Sequence, residues 1–197
     1  MRDRYVWGIL VFALLLTVGC ASEPTEEMTA AQAAYDQAVQ AEAETYAPDK
    51  FAQARQVLEE AKAAVEAEKQ RFALARDFDA AKQKLAQAKA DLEAAAAAAQ
   101  EAKEQVRKET EDGLAAAEQA LQEARDLLAK APRGKGSRAD LEAMQADLTA
   151  AEEALAAARQ ALEAGKYMDA RAQVNGAREK IDAVKQQVEA AIAKRRR

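Results

Sequence analysis

The sequence predicts an all-α protein made of antiparallel, alanine-rich coiled-coil helices. Three observations predict it: the composition, a seven-residue repeat of large apolar residues, and a few sharp breaks in that repeat. Of the 197 residues, 55 are alanine and 32% are charged, whereas only 5% are aromatic. Strong helix formers therefore dominate, and the scarcity of large apolar side chains excludes a thick globular core.

Large apolar residues recur every seven positions, at a position that we name a, and alanine usually occupies position d, three residues later. The a series are Phe51, Leu58, Val65, Phe72; Phe78, Leu85, Leu92, Ala99, Val106; Leu114, Leu121, Leu128; Leu141, Leu148, Leu155, Leu162; and Tyr167, Val174, Ile181, Val188, with a weaker start at Met28 and Tyr35. Alternate spacings of three and four place a and d on one stripe, and a strict period of seven implies a left-handed supercoil. Small residues at d favour close, antiparallel packing.

Breaks in the repeat predict where the helices end. They are Ala47-Pro48-Asp49, the register jump of six around Ala75-Arg76-Asp77, the loop from Pro132 to Ser137, and the tight turn Gly165-Lys166. Proline suits the first turn of a helix, and glycine suits the position just after its end. At Gly113 the register slips by one residue, and we expect a continuous or gently bent helix there.

An internal repeat predicts the domain organisation. A shift of 89 residues aligns Phe78 with Tyr167 and Leu92 with Ile181, and Ala47-Pro48 has a counterpart in Ala131-Pro132. We expect two tandem three-helix bundles that share a long central helix, as in spectrin-like arrays. The predicted segments are a signal peptide (1–19), a lipidated tether (20–27), a first three-helix unit (28–108), a second three-helix unit (109–193) and a basic tail (194–197).

The first twenty residues are typical of an export signal. A net positive start, Met1–Arg4, precedes about 15 uncharged, mostly apolar residues. As a helix this run would reach about 22 Å, which is short of the roughly 30 Å hydrocarbon core of a bilayer. A cleaved signal peptide therefore fits better than a membrane span. The run ends in Thr17-Val18-Gly19-Cys20, which resembles the lipobox of bacterial lipoproteins.

The lipobox resemblance implies that the Cys20 thiol receives a diacylglyceryl group and that cleavage precedes Cys20. The new N-terminus is then acylated, and Thr17, Val18 and Gly19 are the recognition residues for the signal peptidase; Thr17 stands where the family usually has leucine. Because Ala21 rather than aspartate follows, the resemblance also implies an outer-membrane anchor facing the periplasm. The alternative is an ordinary secretory signal with a stray cysteine, although Cys20 is the only cysteine.

A second resemblance covers residues 28 to 193. Its motifs are Tyr46-Ala47-Pro48 with Phe51, then Asp77-Phe78-Asp79-Ala80-Ala81, and Gly165-Lys166-Tyr167-Met168-Asp169-Ala170. These motifs resemble the alanine-rich helical domain of unknown function that occurs in bacterial envelope lipoproteins. The resemblance implies an all-helical envelope protein and assigns no activity.

Residues for catalysis are scarce. The chain has no histidine and one cysteine, which excludes Ser-His and Cys-His pairs, His-containing zinc sites and an intrachain disulfide. Its abundant carboxylates, such as Glu59-Glu60 and Glu152-Glu153, are expected on solvated helix faces with basic partners. Glu42 and Glu68 fall on the core stripe, where we expect thin or frayed layers. The sequence thus predicts no enzyme, no metal and no cofactor.

A basic tail ends the chain, at Lys194, Arg195, Arg196 and Arg197. It suits the negative end of a helix dipole, and the alternative is contact with anionic lipid headgroups or peptidoglycan. The acidic body and the absence of an aromatic platform argue against nucleic-acid binding. The predicted function is a lipid-anchored helical spacer, scaffold or adaptor that contacts envelope proteins, with homo-oligomerisation left open. The alternative is an envelope lipoprotein that binds peptidoglycan or anionic lipid through the tail.

Overall fold

A computed structural model describes residues 22–131 and 138–195. Those residues form α-helices and one 3-10 turn, without a strand, so the protein is all-α as predicted. The helices are α1 (Thr25–Gln40), α2 (Ala43–Tyr46), α3 (Pro48–Lys69), α4 (Asp79–Ala129), α5 (Arg138–Glu163) and α6 (Tyr167–Arg195), and the 3-10 turn spans Ala73–Ala75. The predicted loop from Pro132 to Ser137 lies outside the described residues.

The chain divides into two compact units between Glu101 and Ala102, within α4. The core of the first unit draws on α1, α2, α3 and the early part of α4. The core of the second unit draws on the later part of α4, on α5 and on α6. Large apolar residues and alanines are buried together in both cores, except that α1 contributes only alanines to the buried set.

The predicted stripe is buried along most of its length. The a residues less than a tenth exposed are Phe51, Leu58, Val65, Phe78, Leu85, Leu92, Ala99, Leu114, Leu121, Leu128, Leu148, Leu155, Val174, Ile181 and Val188. The buried d residues are Ala54, Ala61, Ala81, Ala88, Ala95, Ala117, Ala124, Met144, Ala151, Ala158, Ala170, Ala177 and Val184. Alanines such as Ala61 and Ala88 are fully enclosed, which is possible only where neighbouring backbones lie close.

Two helix ends differ from the prediction. The first helix ends at Gln40 rather than at Ala47, because Glu42 adopts the left-handed conformation (φ 57°). The Glu42 side chain is exposed, its backbone carbonyl oxygen accepts the N–H of Thr45 at 2.9 Å, and the short α2 follows. The expected entry at Pro48 is confirmed, since this proline lies in the first turn of α3. α1 itself begins at Thr25, inside the stretch assigned to the tether.

The second difference concerns the end of α3. This helix stops at Lys69, so the predicted core residues Phe72 and Ala75 lie beyond it and are exposed. Phe72 keeps the seven-residue spacing of its series, yet 75% of it is exposed to solvent. The prediction that it is buried was therefore wrong, because a heptad position becomes a core position only while the chain remains helical.

The register slip at Gly113 is absorbed without a break, and α4 continues through it. Thr110 is 2% exposed and occupies the stripe between Val106 and Leu114. Its Oγ1 donates to the Val106 carbonyl oxygen at 2.6 Å, which satisfies the buried hydroxyl. Two consecutive steps of four residues thus replace the usual three and four, and the buried stripe continues along α4 through the slip.

Ion pairs between helices record the helix directions within each unit. In the second unit, Arg125 pairs with Glu152 at 2.5 Å, and Glu118 pairs with Arg159. From one pair to the other the residue number rises by seven along α4 and falls by seven along α5, so the two helices are antiparallel. In the first unit, Lys62 Nζ donates to Gln32 Oε1 at 3.3 Å, and Lys69, further along α3, pairs with Glu23, which precedes Gln32 and the start of α1. α1 and α3 are therefore antiparallel as well.

Candidate functional site

The predicted site residues lie mostly at the ends of the chain. Thr17, Val18, Gly19 and Cys20 are outside the described residues, as are Arg196 and Arg197. Lys194 is exposed in the last turn of α6, and the helical backbone continues to Arg195. The structure therefore places the start of the basic tail on a helix end. Of the region around the predicted lipobox, it describes only the residues from Ser22 onward.

The chain just after Cys20 is fixed to the folded body. Glu23 forms an ion pair with Lys69, the last residue of α3. The next residue, Pro24, is fully buried, and α1 begins immediately after it. The pairing raises the pKa of Lys69, chiefly through its hydrogen bond with Glu23 and then through Glu66. One end of the first unit therefore lies within a few residues of Cys20.

The same end carries the connection between α3 and α4, which we name the long connection (residues 70–78). Arg76 donates from Nη2 to the carbonyl oxygen of Lys69 at 2.8 Å and from Nε to that of Arg71 at 3.1 Å. Carbonyl groups at the end of a helix lack partners within the helix, and a guanidinium is well suited to bind them. Arg76 thereby closes the C-terminal end of α3.

Glu68 holds the other side of the long connection. Its Oε2 accepts the backbone N–H of Asp77 at 3.0 Å, and its carboxylate also binds Arg71 at 2.9 Å. The backbone N–H of Asp77, followed by the Arg71 side chain, lowers the pKa of Glu68. Asp77 in turn accepts the backbone N–H of Asp79 at 2.9 Å, at the start of α4. Glu68 was expected at a thin or frayed layer of the core stripe; it lies half-buried in the last turn of α3, and its carboxylate also joins two helix ends.

Two large apolar side chains project from this braced segment. Phe72 is 75% exposed and Leu74 is 71% exposed, and we name the pair the apolar tip. A third exposed apolar residue, Val39 (50%), lies near the C-terminal end of α1, far along that helix from Glu23. Sequence reasoning missed the tip because Phe72 matched the heptad. The available signal was the register jump of six between Phe72 and Phe78.

Several other carboxylates lie on exposed helix faces and pair with lysine or arginine. Glu60 pairs with Lys84 at 3.5 Å, and the pKa of Glu60 is lowered first by its hydrogen bond with Gln56 and then by Lys84. Lys185 donates to Glu123 at 2.9 Å and lowers the pKa of that carboxyl group. A groove of about 250 Å³ on the first unit is lined by Lys50, Gln53 and Asp91, among others.

The acidic side chains in the part of the chain that the structure describes do not form a cluster suited to a metal ion. No set of three or more acidic, cysteine or histidine side chains there is placed to hold a metal ion. Among the described helices, none is both long and apolar enough to cross a bilayer. The candidate interaction surfaces of the described residues are therefore the charged helix faces, where many side chains form ion pairs, and the exposed apolar tip.

Comparison with known proteins adds no assignment. No protein-family model matches the chain, and neither the curated proteins nor the solved structures include a significant match.

Proposed function

We propose that this protein is a lipid-anchored component of the bacterial cell envelope, acting as a helical spacer, scaffold or adaptor. The observation that carries the proposal is Thr17-Val18-Gly19-Cys20 at the end of a short apolar run. The ion pair between Glu23 and Lys69 supports it, because a folded body that begins this close to Cys20 would be held near the membrane surface. The anchor faces the periplasm from the outer membrane, and helix faces contact other envelope proteins.

The finer architecture belongs to the same proposal. We infer that each unit is a left-handed, antiparallel three-helix bundle and that the chain is a member of the alanine-rich helical domain family of envelope lipoproteins. The pairs that join α4 to α5 support this, since Glu118 and Arg125 are seven residues apart, as are Glu152 and Arg159. All four follow a d residue directly, the position where charged residues flank a coiled-coil seam.

The anchor is tested by replacing Cys20 with serine. Serine cannot form the thioether to diacylglycerol, so we expect the precursor to accumulate in the membrane without lipid. Globomycin, which inhibits the lipoprotein signal peptidase, should cause the wild-type precursor to accumulate as well. Gel mobility and intact mass of the purified chain report both results. Normal maturation of the serine variant would reject the anchor.

The adaptor role is tested by photocrosslinking in intact cells. A crosslinking residue at Ala146, exposed on α5, should capture specific envelope proteins. The matched control is Leu148 on the same helix, which is fully buried and should give no intermolecular product. Mass spectrometry of the bands identifies the partners. Identical patterns from the two positions, or none from a scan of exposed positions, would contradict an adaptor.

A second candidate function rests on the exposed Lys194, which begins the basic tail in a final turn of α6 that holds no acidic residue. Binding to anionic lipid or to peptidoglycan through this tail would contribute about 1 kcal/mol per charge near a lipid surface. Replacing all four basic residues, 194–197, by glutamine should weaken binding to isolated sacculi or anionic vesicles. Unchanged binding would exclude the tail as the contact.

A further inference from the structure

We propose that the apolar tip, Phe72 and Leu74, is a second membrane contact that inserts into the same lipid leaflet that holds the acylated Cys20. The inference rests on the proposed lipid anchor and adds to it a defined insertion point on the folded body. Its partner is a lipid surface, recognised through apolar side chains rather than through charge.

Cys20 and the apolar tip are held close together. Cys20 lies three residues before Glu23 in the sequence, and three residues of extended chain span at most about 11 Å. Glu23 is paired with Lys69, and Phe72 follows Lys69 by three residues. A lipid anchor at Cys20 therefore holds the leaflet surface within reach of the tip. Val39, which is also exposed in the described part of the chain, lies at the far end of α1 and lacks this proximity.

The basic side chains around the apolar tip are already engaged within the protein. Lys69 pairs with Glu23 and Glu66, and Arg71 pairs with Glu68. The third cation beside the tip, Arg76, donates to backbone carbonyl groups, so all three cations are already engaged. Net attraction to anionic headgroups is therefore small. The free energy of binding would come from the two apolar side chains, because moving apolar surface from water into an apolar medium is favourable. Insertion should depend little on the lipid headgroup.

Hydrogen bonds hold the backbone on both sides of the apolar tip. Arg76 binds the carbonyl groups of Lys69 and Arg71 on one side of the tip, and Glu68 binds the backbone N–H of Asp77 on the other. A braced segment has less conformational entropy to lose when its side chains enter the interface. A short segment with aromatic and leucine side chains beside an acyl anchor is thus suited to interfacial insertion, as two membrane signals hold far better than one.

The experiment uses tryptophan as a depth probe. Trp7 is the only tryptophan, and it lies in the predicted signal peptide. The full chain is expressed with its own signal as Trp7→Phe/Phe72→Trp and as the matched control Trp7→Phe/Val39→Trp. Intact mass reports lipidation at Cys20, and far-UV circular dichroism confirms helicity. Each product is reconstituted into phosphatidylcholine vesicles with or without brominated acyl chains.

We expect the tryptophan at position 72 to emit at shorter wavelength in vesicles and to lose about half or more of its intensity with brominated lipid. The tryptophan at position 39 should change little. Adding Leu74→Asp to the position 72 variant should reduce the quenching, whereas added anionic lipid should leave it nearly unchanged.

Three outcomes overturn the inference. Equal quenching at positions 72 and 39 in a lipidated product rejects insertion and leaves the anchor standing. A concentration-dependent blue shift at position 72, without bromine quenching, means that a second copy of the chain covers the tip. An unlipidated product rejects the proposed function, and with it this inference, and the intact mass distinguishes this case from the first two.

Discussion

The two units differ in the connection that joins two of their helices, α3 to α4 in the first unit and α5 to α6 in the second. In the second unit, α5 and α6 are joined by three residues, Ala164–Lys166, which we name the short connection. Gly165 has φ 74°, its N–H donates to the Leu162 carbonyl, and the N–H of Lys166 donates to the Ala161 carbonyl at 2.8 Å. This is the Schellman arrangement, in which backbone groups alone satisfy the helix end.

The long connection of the first unit has no glycine and depends on side chains instead. Arg76 binds the carbonyl groups at the end of α3, and Glu68 binds the N–H of Asp77. Its extra residues leave Phe72 and Leu74 in solvent, whereas the short connection exposes no large apolar residue. Burial of the apolar stripe therefore constrains the helices, while the connections between them are free to differ.

The largest expected effect tests the difference in burial. Phe51 and Phe72 belong to the same a series, but Phe51 is 4% exposed and stacks on Tyr35 with ring centroids 5.5 Å apart. Phe51→Ala should destabilise the protein by about 3–5 kcal/mol, through lost burial and a cavity. Phe72→Ala should change the free energy of unfolding by no more than about 0.5 kcal/mol. Urea unfolding followed by circular dichroism measures both.

Similar losses from the two phenylalanine variants would contradict the exposed position of Phe72. They would mean that α3 continues past Lys69 and that the tip packs on the body in solution. Leu74→Ala provides a further control, because Leu74 is exposed to almost the same extent as Phe72.

These residues also show how far sequence reasoning reached. The heptad was sufficient for the all-α class and for most of the buried residues, because burial of a stripe is a periodic property, although Ala34, Ala43 and Ala96 are buried outside positions a and d. The glycine turn was also predictable, since its signal lies in one residue. The long connection was not predictable, because Glu68 and Arg76 act through contacts across several residues of irregular backbone. The end of α1 at Gln40 was missed for a related reason, since left-handed glutamate has no strong local signal.

A smaller effect is expected when the short connection is disturbed. Gly165→Ala places a Cβ on a residue with positive φ and should cost about 1 kcal/mol, although no atom lies within 4 Å of that Cβ. Gly176 lies inside α6, and its added Cβ also meets nothing within 4 Å. Gly176→Ala should therefore stabilise the protein by about 0.5–1 kcal/mol, because alanine is the better helix former.

The opposite signs of the two glycine variants separate backbone strain from helix propensity. Urea midpoints of both variants, measured beside the wild type, provide the test. If Gly165→Ala were neutral, the short connection would not need its left-handed residue, and the contrast with the long connection would lose its physical basis.

The smallest expected effect is a pH dependence of the long connection. The pKa of Glu68 is lower in the folded state than in the unfolded chain, since the folded carboxylate accepts the N–H of Asp77 and binds Arg71. Its stabilising contribution is therefore present above the unfolded pKa and is lost as the pH falls through the folded value. Glu68→Gln should lower the urea midpoint slightly at neutral pH.

The difference between Glu68→Gln and the wild type should shrink as the pH falls from the ordinary glutamate pKa of about 4.3 through the lower folded pKa, because the protonated wild-type carboxyl group resembles the amide. Glu59→Gln is the matched control, because Glu59 pairs with Lys62 inside α3 and braces no connection. If the Glu68→Gln difference were constant with pH, its carboxylate charge would not hold the long connection. The bracing would then rest on Arg76 alone, and the apolar tip would depend on that one side chain.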